Sequence, residues 1–371
     1  MLNQDRLSRL HAQAQKSGCA ILAVMPNTNL FYLCGFRMGL SERSTIAFIP
    51  AQGEPAFLAP LLEAAKVKKE TGVARVEAYA DDEGPWGAAA RLLQSYGLAG
   101  KRIGVENRYM RVQELSILER AVGAFERFDA GPLFDDLRVT KDAEEIEVLA
   151  QAAQIASHAA AAVRRALKPG VSESYLASVA ETAARDEGGS DLTMHSLIAS
   201  GPRSAFPHSG TSDRTVREGE TVWADIVVTH RGYVGDITRT WPVGKIDPEL
   251  ARAYEVVFEA QKAARLGVRP GMSGAEVDAI CRSQIEANGF GAFFTHRTGH
   301  GLGLEVHEEP YMVKSNHEPL RPGMVFTIEP GIYLPGKGGV RIEDDAAVTE
   351  TGVRILTTER RHWLREGVAE S

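Results

Sequence analysis

Cysteine is scarce in this sequence, and its scarcity excludes one broad class of protein. The 371 residues contain three cysteines, Cys19, Cys34 and Cys281, and no C-x-x-C spacing joins any two of them. An odd number of scattered cysteines does not build a disulfide framework. We therefore expect three buried thiols in a reducing cytoplasm.

An excess of positive charge and long apolar runs are also lacking. The chain has 42 Lys and Arg against 49 Asp and Glu, a net charge of −7, so no global field attracts nucleic acid or an anionic bilayer. No stretch approaches the roughly 20 apolar residues that span a membrane. The first residues, MLNQDRLSRLHAQAQKSG, place Leu at helical spacing among charges, which indicates a surface helix and not a signal peptide. We expect a cytoplasmic protein with no nucleic-acid or membrane partner.

The rest of the composition is that of a globular enzyme, and the length predicts two domains. Up to about residue 135, β-rich runs such as CAILAVM and STIAFIP alternate with helical segments, which favours an α/β domain with a mixed sheet. The segment GPLFDDLRVTKD breaks this rhythm, and AEEIEVLAQAAQIASHAAAAVRRAL then predicts a long helix with acids first and arginines last. We therefore place one domain at residues 1–135 and the second at 136–371.

The second domain contains an internal repeat. LKPGVSESYLASVAETAARDEGG, with Pro169 and Gly170, matches VRPGMSGAEVDAICRSQIEANGF, with Pro270 and Gly271. Each copy reads as helix, Pro-Gly turn and helix, and further on EGETVWADIVV aligns with PGMVFTIEPG. The repeat predicts two α+β halves related by a pseudo-twofold axis.

Four acids occupy matching places in the two halves. Asp225 and Glu329 fall in runs of β-branched and aromatic residues, where a buried acid needs a compensating partner. A second β-rich segment follows each of them and carries Asp236 or Glu343, so we expect two hairpins that bring each pair to one face. If the halves face each other, four carboxylates meet in one pocket and repel unless cations lie between them.

A histidine offers the nitrogen ligand that such a site lacks. His300 stands among Gly299, Gly301 and Gly303 in RTGHGLGLEVHEEP, and we expect these glycines to let the backbone approach a crowded metal centre. Four carboxylates and one imidazole favour manganese, with cobalt, iron or zinc as alternatives. The residues therefore predict a site for two divalent ions of the kind used in hydrolysis.

These motifs resemble the pita-bread metallopeptidases (M24), the family of methionine aminopeptidases, Xaa-Pro aminopeptidases and Xaa-Pro dipeptidases (prolidases). The resemblance rests on ADIVVTHRGYVGDITRT, HGLGLEVHEEP, MVFTIEPGIY and VRIED, and it covers nearly the whole chain. It implies a pita-bread second domain in which Asp225 chelates one ion, His300 and Glu329 hold the other, and Asp236 and Glu343 bridge both. The α/β first domain and the segment NTNLFYLCGF favour the proline-specific branch.

The resemblance also implies accessory residues that act on substrate. His208 in AFPHSG, His296 and His307 match histidines that contact substrate and stabilise the transition state. Two-metal hydrolysis then needs a group that moves protons, and we expect Glu329 to take the proton of the attacking water while His307 polarises the carbonyl. Arg341 is expected to hold a carboxylate or to orient His208 through its planar fork.

Several alternatives remain open at this point. Taken one at a time, the four acids are also consistent with solvated strand carboxylates or with salt bridges to Arg239 and Arg341. The substrate is a peptide with proline in second position, either a dipeptide or a longer peptide. A creatinase-like amidinohydrolase and a non-enzymatic binding module share the fold, although both are expected to have lost site residues. The resemblance finally implies a homodimer in which Trp86 caps the neighbouring subunit's site.

Overall fold

The computed structural model describes residues 1–363, without the side chains of residues 191–195. The chain divides into two units, the first ending at Arg138 and the second beginning at Val139. None of the helices in the described range is long and apolar enough to cross a membrane. The predicted two-domain architecture is confirmed.

The first unit is a mixed sheet with helices. Its elements are α1 (Gln4–Lys16), β1 (Ile21–Val24), α2 (Thr28–Cys34), β2 (Ile46–Pro50), β3 (Ala56–Pro60), α3 (Leu61–Thr71), β4 (Arg75–Tyr79), α4 (Trp86–Gln94), β5 (Arg102–Val105), α5 (Val112–Val122), β6 (Glu126–Asp129) and α6 (Gly131–Val139). The strand order is β4-β3-β2-β1-β5-β6. The pairs within β1-β2-β3 are antiparallel and the others are parallel, so the predicted mixed sheet is present.

A buried polar cluster lies at the end of β5. The Glu106 carboxylate, 1% exposed, accepts hydrogen bonds from the side-chain amides of Asn27 and Asn29, the shorter ones at 2.9 and 2.6 Å. Asn27 in turn caps α2 through the backbone N–H groups of Asn29 and Leu30. Burial raises the pKa of Glu106 to about 7, even though the amide donors favour its charged form.

This cluster predicts a pH dependence of stability. The pKa of Glu106 rises from 4.5 to about 7 on folding, so between these values the folded chain holds a proton that the unfolded chain has released. The stabilisation is therefore complete below pH 4.5 and is lost as the pH rises to 7, by roughly 3 kcal/mol in total. Glu106→Gln should flatten the free energy of unfolding across this window in denaturant titrations. Parallel pH curves for the two proteins would contradict the assignment.

The second unit carries the two halves of the repeat. Its elements are α7 (Ala143–Ala166), α8 (Glu173–Asp186), β7 (Ser190–Ser200), β8 (Thr221–His230), β9 (Tyr233–Pro242), α9 (Pro248–Gly267), α10 (Gly274–Ala287), β10 (Gly299–Gly301), β11 (Glu308–Met312), β12 (Val325–Ile328), β13 (Gly331–Leu334), β14 (Gly338–Arg341), β15 (Asp344–Val348) and β16 (Val353–Ile355), with 3-10 turns at Gly201–Ala205 and Gly291–Phe293. Its sheets are β7-β8-β9, β11-β10-β12-β15-β16 and β13-β14.

The repeat is visible in the backbone as well as in the sequence. Gly170 and Gly271, after the matching prolines, adopt φ values of 92° and 89°, which favour glycine. Ser172 and Ser273 then cap α8 and α10 through their hydroxyl oxygens. The Pro-Gly-x-Ser pattern thus encodes the same turn and helix start twice.

Each half has its own apolar core. Ile155 of α7, Leu176 of α8 and Ile226 of β8 share one cluster of fully packed side chains. Residues of α9, α10 and β12 form the other, with Val257 and Phe326 at zero exposure. A smaller apolar cluster, in which residues of β8 and β9 meet residues of β12 and β15, joins the two halves.

Candidate active site

The first half supplies two acids from one hairpin. The β8–β9 connection turns at Arg231 and Gly232, both with positive φ (49° and 93°), the combination that a two-residue type I′ turn requires. In the resulting register Asp225 lies opposite Thr238, two residues beyond Asp236. Since residues two apart in a strand share a face, both carboxylates point to the same side, as predicted.

The second half supplies its acids from strand ends. Glu329 follows β12 and Glu343 precedes β15, and these strands pair so that Ile328 lies opposite Asp344. The hairpin is longer than the sequence suggested, because the β13–β14 ribbon is inserted between the two acids. The backbone N–H of Glu343 donates to the Thr238 carbonyl at 3.0 Å, which ties it to the strand that carries Asp236.

His300 lies on β10, between β11 and β12. A Cβ atom on Gly299 would lie 1.8 Å from the Thr327 carbonyl oxygen, and one on Gly301 would lie 2.2 Å from that of Glu309. Glycine at these two positions therefore admits the neighbouring strands, a requirement that the sequence analysis did not foresee. The His300 Nδ1 lies 3.1 Å from the Gly301 carbonyl, so a proton on Nδ1 leaves the Nε2 lone pair for a ligand.

The structure brings the candidate ligands of both halves together. Ligand atoms of Asp236, His300 and Glu343, all buried, lie within 4.8 Å of one another. His300 Nε2 is 3.3 Å from Glu329 Oε1 and 4.0 Å from Asp236 Oδ2. All nine predicted site residues line one cavity of about 430 Å³: His208, Asp225, Asp236, His296, His300, His307, Glu329, Arg341 and Glu343.

Burial and mutual repulsion dominate the electrostatics of this cavity. Burial, followed by the neighbouring carboxylates, raises the pKa of Asp236 and of Glu343 well above the ordinary range. The pKa of Glu329 is raised to about 7, again chiefly by burial. Burial lowers the pKa of His300 to about 3, which keeps the imidazole neutral at physiological pH.

These residues fit a divalent metal. The buried Asp236 Oδ1 has no hydrogen-bond partner among the described residues. An acidic cluster with an orphaned carboxylate oxygen and a neutral imidazole is the donor set that divalent cations prefer, and a cation also removes the repulsion between the acids.

Asp225 lies beside that trio and is bound to an arginine. Arg341, 3% exposed, donates from Nη2 to Asp225 Oδ2 at 2.7 Å. Its remaining donors contact the Tyr333 hydroxyl at 2.7 Å, the Pro207 carbonyl at 3.1 Å and Thr238 Oγ1 at 3.1 Å. Arg341 thus contacts the backbone of Pro207, next to His208, and each of its three guanidinium nitrogens donates to a protein group.

The accessory histidines have defined partners. The ring of His307 packs edge-on to His300, with 4.3 Å between centroids. His296 Nδ1 lies 2.7 Å from the Arg297 carbonyl, and its Nε2 lies 2.9 Å from the Tyr333 hydroxyl. Burial, with the nearby Arg341 charge, lowers the pKa of His296 to about 3. His296 is therefore neutral and oriented at both ring nitrogens.

Tyr333 is the site residue that sequence reasoning missed. It lies on β13, its hydroxyl joins His296 to Arg341, and burial raises its pKa to about 12. A Cβ on Gly331 would lie 2.6 Å from that hydroxyl. A glycine two positions before a tyrosine, in the hairpin after Glu329, was the available signal.

Removing this hydroxyl should impair the site without unfolding it. Tyr333→Phe breaks the link between His296 and Arg341, and we expect kcat/KM for the reaction at this site to fall about 10-fold, because one hydrogen bond to a charged group is lost. Tyr254→Phe is the matched control, since its buried hydroxyl donates to the Arg361 carbonyl outside the cavity. Equal losses in the two variants would show that the Tyr333 effect is only structural.

Two helix-and-sheet halves that jointly present acids and an imidazole define a metallopeptidase of the pita-bread fold. The chain belongs to metallopeptidase family M24, whose family model matches residues 147–350, and the Creatinase/Prolidase N-terminal domain model matches residues 6–140. The predicted resemblance is confirmed, and the protein is a metallopeptidase of a family that uses divalent metal.

Named relatives agree with this assignment. The chain is 39% identical over 352 residues to the probable dipeptidase PepE of Mycobacterium tuberculosis, covering 94% of this chain and 92% of that protein. Among solved structures it is similar to a prolidase from Thermococcus sibiricus, with a TM-score of 0.93, 35% identity and coverage of 98% and 99% of the two chains. It is also similar to an Xaa-Pro dipeptidase from Bacillus anthracis, with a TM-score of 0.87, 31% identity and coverage of 97% and 99%.

Proposed function

We propose that this metallopeptidase is an Xaa-Pro dipeptidase that uses two divalent ions. The observation that carries the proposal is the convergence of four carboxylates and one neutral imidazole, drawn from both halves, on a cavity that also contains three further histidines. Prolidases and Xaa-Pro dipeptidases among the similar structures support the substrate class.

The proposed metal roles follow the resemblance to the family. Asp225 would hold one ion, His300 and Glu329 would hold the other, and Asp236 and Glu343 would contact both. When bound, a divalent pair acidifies water and polarises the scissile carbonyl. The oxygen-rich donor set favours manganese over zinc, with cobalt and iron as substitutes.

The chain's own residues supply proton transfer and orientation. Glu329, whose carboxylate lies beside His300, accepts a proton from the attacking water and delivers it to the leaving nitrogen. That delivery is essential for an Xaa-Pro bond, because the proline nitrogen carries no hydrogen and must be protonated to leave. His307 polarises the carbonyl oxygen, while His208 and His296 contact the substrate from the cavity wall.

Paired substrates test this proposal. Purified protein should release alanine from Ala-Pro when manganese is present and should lose this activity after chelation, with Ala-Ala as the control for proline dependence. No metal-dependent cleavage of Ala-Pro or of Ala-Pro-Ala would refute the proposal.

Two other activities have distinct outcomes in the same assay. Preferential cleavage of Ala-Pro-Ala would make the protein an Xaa-Pro aminopeptidase. Release of urea from creatine would make it an amidinohydrolase, but the complete set of five ligand residues argues against that activity.

We further propose a cytoplasmic homodimer in which Trp86 covers the partner's site. The indole is 37% exposed at the start of α4, with the Arg120 guanidinium 4.9 Å from the ring centroid. An exposed large aromatic is typical of an interface anchor. Light scattering should give twice the chain mass, and Trp86→Ala should raise KM. A monomer with full activity would contradict this arrangement.

A further inference from the structure

His208 lies on a loop that its own side chain does not anchor. The loop, residues 201–211, follows β7 and is named the His208 loop. His208 is exposed, lines the cavity, and its ring makes no hydrogen bond within the described part of the chain. The neighbouring Pro207 carbonyl accepts a hydrogen bond from Arg341 at 3.1 Å. The position of the imidazole therefore depends on the groups that hold the loop backbone.

One buried carboxylate holds both ends of this loop. Glu173, the first residue of α8, is fully buried. Its Oε1 accepts hydrogen bonds from the backbone N–H and the hydroxyl of Ser200, before the loop, at 2.9 and 2.7 Å. Its Oε2 accepts from the backbone N–H and the hydroxyl of Ser212, after the loop, at 3.1 and 2.6 Å, and from Arg203 Nε at 3.3 Å. Since these donors belong to the loop and its two ends, the carboxylate closes the loop at its base.

The internal repeat shows that the start of the helix does not itself need this acid. Gly274 occupies the position of Glu173 in the second half, one residue after the capping serine. A Cβ atom on Gly274 would lie 2.3 Å from the Tyr311 carbonyl oxygen, so no larger side chain fits there. Both α8 and α10 nevertheless begin with a serine cap. The carboxylate of Glu173 therefore serves the first half alone, where it contacts the His208 loop.

We propose that Glu173 is a positioning residue that places His208 for the reaction in the cavity. This inference rests on the proposed function, in which His208 contacts the substrate. Glu173 does not line the cavity, so it acts through the loop and not on the substrate. Arg341 holds the middle of the loop at Pro207, and Glu173 holds its base.

The first test is the activity of a Glu173→Gln variant loaded with manganese. The amide replaces one acceptor oxygen by a donor that faces other donors, so one end of the loop is released. We expect kcat/KM for Ala-Pro to fall about 10- to 100-fold, because a contact group displaced by about 1 Å costs up to about 100-fold. Glu106→Gln, which changes a buried carboxylate of the first unit, is the matched control and should leave kcat/KM unchanged.

A milder variant keeps the test independent of folding. Ser212→Ala removes one hydroxyl from Glu173 and should lower kcat/KM about 5-fold, the value of a single hydrogen bond. Ser174→Ala is its control, because that hydroxyl donates to Asp213 on the exposed side of the same helix start. If Glu173→Gln does not fold, Ser212→Ala takes its place in the measurements that follow.

A double-substitution cycle distinguishes positioning from general damage. In a His208→Ala background, Glu173→Gln should cause no further loss, because the side chain that it positions is absent. Calorimetry should show unchanged manganese affinity in Glu173→Gln, since the hydrogen bonds of this carboxylate go to the loop and its ends. Trypsin should cut after Arg203 about 10-fold faster than in wild type, which measures release of the loop without any substrate.

The outcomes separate this inference from the proposed function. A wild type that cleaves neither Ala-Pro nor Ala-Pro-Ala refutes the proposed function and the positioning role with it. An active wild type whose kcat/KM is unchanged by Glu173→Gln overturns the inference alone. Losses that multiply in the His208→Ala background also overturn it, because Glu173 would then act independently of His208. Weakened manganese binding would overturn it by assigning the effect to the metal site.

Discussion

Asp236→Asn should abolish peptide hydrolysis without destabilising the metal-free protein. The carboxylate has a buried oxygen without a partner and a raised pKa caused by burial and by Glu343 and Asp225, so it is poorly placed in the absence of a cation. An amide of the same shape relieves this repulsion but holds metal weakly. We expect activity to fall by about 10³-fold or more, because several kcal/mol of transition-state stabilisation are lost.

The neighbouring Asp344 provides the contrast. It is equally buried, but Arg239 donates to it at 2.8 Å and Arg361 at 2.5 Å, and its pKa is held below the ordinary range in spite of burial. Asp344→Asn leaves those arginines without a counter-charge and should lower the free energy of unfolding by about 3–5 kcal/mol. Thermal melts of both chelated variants measure the difference. A lower melting temperature in Asp236→Asn would contradict the assignment of that residue to metal.

Glu329→Gln should affect turnover more than substrate affinity. The amide keeps the shape of the side chain beside His300 but accepts no proton, so kcat should fall about 10²- to 10⁴-fold, the range for loss of a general base. KM for Ala-Pro should change little, since no role in holding substrate is assigned to Glu329. Steady-state kinetics at saturating manganese measure the split. A higher KM at unchanged kcat would remove Glu329 from proton transfer.

Much of this architecture could be predicted from the sequence, because both copies of the repeat contain the same local turn and helix-capping residues. The Pro-Gly-x-Ser pattern fixes a positive φ at Gly170 and Gly271 and a cap at each following serine, and these effects depend on neighbours along the chain. The matching positions of Asp225 and Glu329 then indicated that both acids face a shared pocket.

Features that depend on residues far apart in the sequence could not be predicted. The closeness of Gly299 to a carbonyl of β12 follows from strand pairing across the sheet, which no local pattern states. The Tyr333 hydroxyl acquires its role only because Arg341 and His296 arrive from other segments.

The most direct test of the proposed two-metal site is the number of manganese ions bound per chain in the active protein. Chelator-stripped protein should be titrated with manganese while calorimetry follows binding and a parallel assay follows proline release from Ala-Pro. A two-metal site should bind two ions per chain, with full hydrolysis reached as the second ion binds. Full hydrolysis by the stripped protein or with one ion bound, or a chain that binds no manganese, would contradict a two-metal site.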